Sequence, residues 1–362
     1  MLRLTFVFLL LLHGIIHLMG FVKAFKYAEV SQLGADISKP AGIGWLASAL
    51  LLVSAAVLFL LKKDIWWLPA AIGVVLSQIM IFSAWKDAKF GAIANLIVLI
   101  GALPAFGTWQ FKAMIRSELA AFRPPVATAR QVVADTQLAA LPPIVQSWLR
   151  QSGTVGKPLT AAVHLVQTGR MRTTPDGAWM PVTAEQYFRT DPPGFYWIAD
   201  VEAAAFIRLA GRDRLQNGHG HMLIKALSLY PVADAEGPQT DQGTLLRYLA
   251  EICWFPDAAL QPYIHWSPVD SLTATATLKS EEQSVTGTFH FSAAGELRGF
   301  DALRYYDRKG GATLEKWHIE NDPASYKDFE GRRIPTRSTV SWQLEGGNFS
   351  WFELEIDQVH YE

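Results

Sequence analysis

The chain has 362 residues, enough for two or three domains, and half of them are apolar, with the excess at the front. Its formal net charge of −1 excludes the strong basic field of a nucleic-acid binder, and its single cysteine, Cys253, excludes an intramolecular disulfide. Cys253 stands between Ile252 and Trp254 with no activating neighbour, so it reads as a small buried hydrophobe rather than a nucleophile.

Residues 4–22 carry no charge between Arg3 and Lys23 and are long enough to cross a bilayer. No small-x-small cleavage site follows, which favours an uncleaved helix over a signal peptide. Three more apolar runs cover about 41–61, 65–85 and 90–109. The first of these ends at Lys62-Lys63, and Trp66, Trp67, Trp85 and Trp109 bound the others, as interfacial aromatic belts do. The expectation is a four-span transmembrane domain over 1–110 in a bacterial plasma (inner) membrane, with membrane lipids as partners. The lysines and arginines on the two sides do not decide which side the rest of the chain faces.

His13 and His17 lie four apart on one face of the first span. Such a pair can hold a metal or a haem iron. The competing reading has neutral imidazoles bonding to neighbouring helices, which Gly14 and Gly20 allow to approach closely. Ser77, Gln78, Ser83 and Asn95 in the other spans supply no third or fourth ligand, and no cofactor is assigned to the chain.

Residues 111–137, with Arg123-Pro124-Pro125, read as an exit helix and linker. Leu138, Leu141, Ile144, Val145, Trp148 and Leu149 recur at helical spacing around Pro142-Pro143, so a helix should start near 142 and end before Gly153. From about 160 the texture turns to alternation and aromatics within a mainly-β domain over 138–362. Pro175-Asp176-Gly177 turns Ala161–Thr173 back on Trp179–Thr190. Strands are expected from Phe195 to Val201, Phe206 to Gly211 and Met222 to Tyr230. They resume with Leu272 to Leu278, Val285 to Phe291, Leu297 to Tyr306, Leu314 to Glu320, Arg337 to Leu344 and Phe349 to Tyr361. Turns are expected at Lys309-Gly310-Gly311 and Gly346-Gly347-Asn348. Ten to twelve strands in such a stretch indicate a sandwich, barrel or strongly curved sheet.

One helical stretch interrupts the strands. Leu245, Leu246, Leu249 and Ile252 share a face, Arg247 and Glu251 are four apart and can pair, and Pro256 stops the pattern. The fold class expected is a four-helix transmembrane region plus an α+β soluble domain. In the latter a large curved antiparallel sheet, a half-barrel or barrel, is plugged by a helix near 241–255 that Trp254 and Phe255 anchor.

The order of motifs resembles an uncharacterised bacterial family of membrane-anchored proteins whose soluble part is a domain of unknown function. The matching residues are Leu141-Pro142-Pro143 with Ser152-Gly153, Gln167-Thr168-Gly169-Arg170-Met171-Arg172, and Gly211-Arg212-Asp213. To these are added Arg247-Tyr248-Leu249-Ala250-Glu251 with Trp254-Phe255-Pro256, and Ile334-Pro335. The resemblance covers about 138–362 and implies no activity. The β part is also similar in architecture to the lipoprotein-carrier half-barrels of the bacterial envelope, which implies an apolar concave face.

No G-x-S-x-G elbow, Walker motif or strand-linked G-x-G-x-x-G is present. The first expectation is therefore a non-enzymatic protein that binds a lipid, another apolar ligand or a lipidated protein. Arg247 and Glu251 would sit at the polar end of the pocket, with Tyr248, Trp254 and Phe255 beside them. The alternative is a hydrolase or isomerase acting on an apolar substrate through Glu251 with His219 or His221. A third reading places haem or a metal on His13 and His17.

Overall fold

The computed structural model describes residues 2–122, 131–280, 283–308 and 310–362. Long uninterrupted apolar runs give helices first. They are α1 (Leu2–Ala24), α2 (Lys39–Leu60), α3 (Trp67–Ser83), a single turn α4 (Trp85–Ala88) and α5 (Gly91–Phe122). Four of the helices in this region are long and apolar enough to cross a membrane. Ser38 caps α2 by accepting from the Ala41 amide, and Pro40 fits the first turn, where no amide is needed. Gly20 is required for the packing of α1 on α2: a Cβ there would lie 2.3 Å from the Trp45 ring. The expected exit helix is not separate, because α5 runs on through Phe122. The Arg123-Pro124-Pro125 linker lies outside the described residues.

The chain divides into two compact units, one made of residues 1–117 with 227–229 and the other of 118–226 with 230–362. In the second unit, Pro143 opens α6 (Pro143–Gln151), whose Ile144, Val145, Trp148 and Leu149 are buried. Alternation then gives β1 (Ala162–Met171), β2 (Met180–Thr190), β3 (Pro193–Ala204), β4 (Ile207–Gln216), β5 (His219–Ala226) and β6 (Tyr230–Glu236). Helix α7 (Pro238–Glu251) follows. Beyond it come β7 (Ile264–Pro268), β8 (Thr273–Lys279), β9 (Ser284–Phe291), β10 (Leu297–Tyr306) and β11 (Thr313–Asn321). A small hairpin of β12 (Tyr326–Phe329) and β13 (Arg332–Pro335) precedes β14 (Arg337–Leu344) and β15 (Gly347–Tyr361).

Thirteen of these strands form one antiparallel sheet, in the order β6-β5-β4-β3-β2-β1-β15-β14-β11-β10-β9-β8-β7. Its strand count exceeds the ten to twelve expected. Leu227 and Ser228 turn the chain with positive φ angles (51° and 58°), ending the expected Met222–Tyr230 strand at Ala226 and letting β6 start at Tyr230, and β7 is short. The sheet is a large curved half-barrel. Helix α7 contacts β3, β4 and β5 near one end of it and β8, β9 and β10 near the other, so the sheet must curl around the helix. Side chains from both ends and from α6 and α7 join one buried cluster that includes Leu165, Phe188, Leu245, Leu249, Phe289 and Phe300.

The helical interruption is where the sequence placed it, with different ends. Pro238 starts it immediately after Gly237, whose φ of 101° a side chain would strain. Its α-helical part stops at Glu251, five positions before Pro256, and tightens into short 3₁₀ turns over Ile252–Trp254 and Pro256–Leu260.

Candidate functional site

The curl of the sheet over α7 leaves a cavity of about 480 Å³ within the second unit. Helix α7 and the 3₁₀ turn after it contribute Arg247, Ala250, Glu251, Cys253 and Trp254. Inward positions on the strands add, among others, Trp197, Phe300, Trp317, Trp342 and Phe352. The walls are therefore chiefly apolar and rich in aromatic rings, and charged groups interrupt them.

Those charged groups form an ordered network. Arg247 Nε donates to Glu251 Oε1 at 2.8 Å along the helix, and its Nη1 donates to Asp213 Oδ2 on β4, also at 2.8 Å. Its guanidinium lies 4.8 Å from the Phe195 ring centre and 5.0 Å from that of Trp197. Gln186 Nε2 donates to Glu251 Oε2 at 2.7 Å, and Gln186 Oε1 accepts from Gln167 Nε2 at 3.0 Å. The alternation of β1 had already put Gln167 in phase with Val163 and Leu165, and all three are buried. Burial pushes the Glu251 carboxyl above its ordinary range, although Arg247 and Gln186 both pull it down. For Arg247, burial lowers the guanidinium, but Glu251 and Asp213 more than offset this and hold it raised.

Arg304 on β10 is a further cation in the cavity, and it was not among the residues singled out from the sequence. Its guanidinium lies 4.7 Å from the Trp317 ring centre and 6.0 Å from that of Trp342. A signal was available: Arg304 is in phase with Phe300 and Ala302, which are both buried on the inward face. Burial pushes this guanidinium down to about 10, with Asp213 the main opposing influence.

Of the side chains expected at the pocket, Arg247, Glu251 and Trp254 line the cavity. Tyr248 and Phe255 pack instead on Phe188, with ring centres 6.3 Å and 4.6 Å away. The Tyr248 hydroxyl meets that of Tyr263 at 2.9 Å. Cys253 is buried, and burial pushes its thiol well above its ordinary value, which suits an inert side chain.

His219 and His221 line a different, polar cavity of about 380 Å³ together with Arg214, Glu236 and Asp241. His221 contacts Asp234 at 2.7 Å and Glu236 at 2.8 Å, and His219 lies 3.5 Å from Asp241. Glu251 lines the aromatic cavity, so the carboxylate and the imidazoles proposed to cooperate belong to separate sites.

In the first unit, His13 and His17 are buried. His13 Nε2 donates to Asn95 Oδ1 at 2.8 Å. His17 Nδ1 donates to the His13 carbonyl at 2.8 Å, and its Nε2 meets Ser77 Oγ at 2.8 Å. Both nitrogens of His17 are thus engaged by protein groups, which a metal would have to displace. Among the described residues no cluster of three or more His, Cys, Asp or Glu side chains is placed to hold a metal ion.

A family of unknown function (DUF6544) matches residues 131–354, well over half of the chain, and the chain belongs to that family. No curated protein matches. Among solved structures, a DUF1329 family protein from Desulfovibrio piger is similar at 9% identity and a TM-score of 0.34. That similarity covers 60% of this chain and 92% of the other.

Proposed function

We propose that this family member binds one apolar or amphiphilic molecule of the lipid class in the cavity of its curved sheet. The proposal includes anchoring in a bacterial inner membrane by the four apolar helices over residues 1–110, with 111–137 as connector and 138–362 as the binding domain. The observation that carries it is the cavity itself. At about 480 Å³ it falls within the usual range of small-molecule sites, roughly 300–1,000 Å³. Its walls of Trp197, Trp254, Phe300, Trp342 and Phe352 match an apolar body, and the few polar groups match one oriented end. Binding rather than catalysis suits a site in which the buried carboxylate is engaged by Arg247 and Gln186 and, among the described residues, no imidazole lines the same cavity.

The test is mass spectrometry of the full chain extracted without detergent, in polymer-bounded membrane particles, alongside an Ile319→Trp variant that fills the cavity. The expected result is a lipid-class molecule retained at one per chain by the wild type and lost from the variant. Equal lipid in both, with no apolar-probe binding that the variant abolishes, would overturn the reading.

A further inference from the structure

We infer that the molecule held in the cavity is a single-chain amphiphile with a carboxylate head, and that Arg304 receives that carboxylate. This rests on the ligand-binding reading of the same cavity. Among the described residues four arginines line the cavity: Arg172, Arg212, Arg247 and Arg304. Arg172 donates to the carbonyls of Ser350 and Pro175. Arg212 donates to the His221 carbonyl and pairs with Glu118 at 3.3 Å. Arg247 is held by Asp213 and Glu251. Arg304 alone of the four has no hydrogen-bond or ion-pair partner among the described residues. Glu315, directly across from it on β11, is taken by Arg308 at 2.5 Å.

Arg304 is half-buried, and its five N–H donors face the cavity with no protein acceptor among the described residues to bind them. Here the side chain is nonetheless positioned. It stacks over Trp317, and Gly243 on α7 makes room for it: a Cβ at Gly243 would come within 3.0 Å of Arg304 Nε. Gln242 donates to the Leu303 carbonyl at 3.1 Å and so ties the same turn of helix to the same strand. The ring contact fixes where the guanidinium carbon sits, and its fork of donors suits a planar acceptor, which a carboxylate meets with two bonds.

Charge selects among acidic heads. Asp213 and Glu251 are already engaged by Arg247, and both also face Arg304 from across the cavity. They limit how much further negative charge the site accepts. One carboxylate fits this balance, whereas the second charge of a phosphate monoester would meet two carboxylates. The volume, in the lower half of the usual range, suits one chain lying against Trp342 and Phe352 rather than two.

The experiment titrates the purified full chain, in nonionic detergent, with stearate, stearyl alcohol and stearyl phosphate, counting bound molecules by native mass spectrometry. Arg304→Met, Arg304→Lys and the cavity-filling Ile319→Trp are run in parallel. The wild type should bind stearate about 10- to 100-fold more tightly than the alcohol, the range of a charge-assisted hydrogen bond, and more tightly than the phosphate. Arg304→Met should abolish that preference, and Arg304→Lys should keep part of it. A wild type that binds acid and alcohol alike, or an Arg304→Met variant that still prefers the acid, overturns the assignment and leaves apolar binding intact. The wild-type comparison decides this even if a variant does not fold. Tighter binding of the phosphate overturns the carboxylate head in particular. If neither chain binds in an Ile319→Trp-sensitive way, the binding reading itself fails.

Discussion

Replacing Arg247 by methionine should destabilise the β unit strongly and in a pH-dependent way. The substitution keeps apolar bulk between Phe195 and Trp197 but removes the donors that satisfy Asp213 and Glu251 at 2.8 Å each. Removing one partner of a buried ion pair costs about 3–5 kcal/mol, because the remaining charge stays enclosed. In a unit of this size each 1 kcal/mol lowers the melting temperature by about 2–4 °C, so the expected fall is about 6–20 °C. The sign of the pH effect follows from Glu251. Burial already raises its carboxyl above the unfolded value, and losing Arg247 raises it further. A raised folded value means that the contribution to stability is fully present below the unfolded value, near 4.5, and is lost as the pH rises through the folded one. The deficit of Arg247→Met should therefore be largest at neutral pH and should shrink on acidification. Neutralising both acids in the triple variant Arg247→Met, Asp213→Asn, Glu251→Gln should recover most of the loss. Thermal unfolding of the full chain in detergent, followed by near-ultraviolet circular dichroism at several pH values, measures all of this. A single variant that melts within two or three degrees of wild type, or a triple variant no better than the single one, refutes the reasoning.

Gly287→Ala should cost about 1–3 kcal/mol, because the new Cβ would lie 2.1 Å from the buried Phe300 ring and force it to shift. Adding Phe300→Leu should give back part of that loss, and strict additivity in a double-mutant cycle would show that the two positions do not compete for space. Asp301 is raised by burial but pulled down further by His318 and His290, and its carboxyl is lowered to about 2. Its contribution to stability is present above the unfolded value, near 3.8, and should disappear as the pH falls through about 2. Acid titration of wild type against Asp301→Asn measures it, and identical acid-unfolding curves would contradict it.

Much of the fold was legible because its signals are local. Uncharged runs marked four membrane-length helices, Pro142-Pro143 marked α6, and Leu245, Leu246 and Leu249 marked the helix inside the sheet. What escaped is nonlocal or uses weak punctuation. The Leu227-Ser228 turn has no glycine or asparagine, although both residues take positive φ. The start of α7 at Pro238 follows a polar, weakly patterned stretch. Arg247 and Glu251 could be paired from spacing alone, but Asp213 and Gln186 reach them only through the pairing of β2, β3 and β4. Arg304 shares its parity on β10 with Phe300 and Ala302, a local signal, but that this face is the concave one is a property of the whole sheet.

The order of strands also says where assembly of this unit is difficult. From β1 to β6, and again from β7 to β11, every pairing joins strands that follow one another in the chain. The step from β11 to β14 only skips the small β12–β13 hairpin. The remaining seam, β1 against β15, sets Val163 opposite Tyr361. Nearly all of the unit's loop-closure entropy is therefore concentrated in one event, the meeting of two ribbons that can each form from neighbouring contacts. Helix α7 connects the outer edge of one ribbon to the outer edge of the other. By packing on both, it acts as a tether that raises their effective concentration and makes that single distant closure accessible.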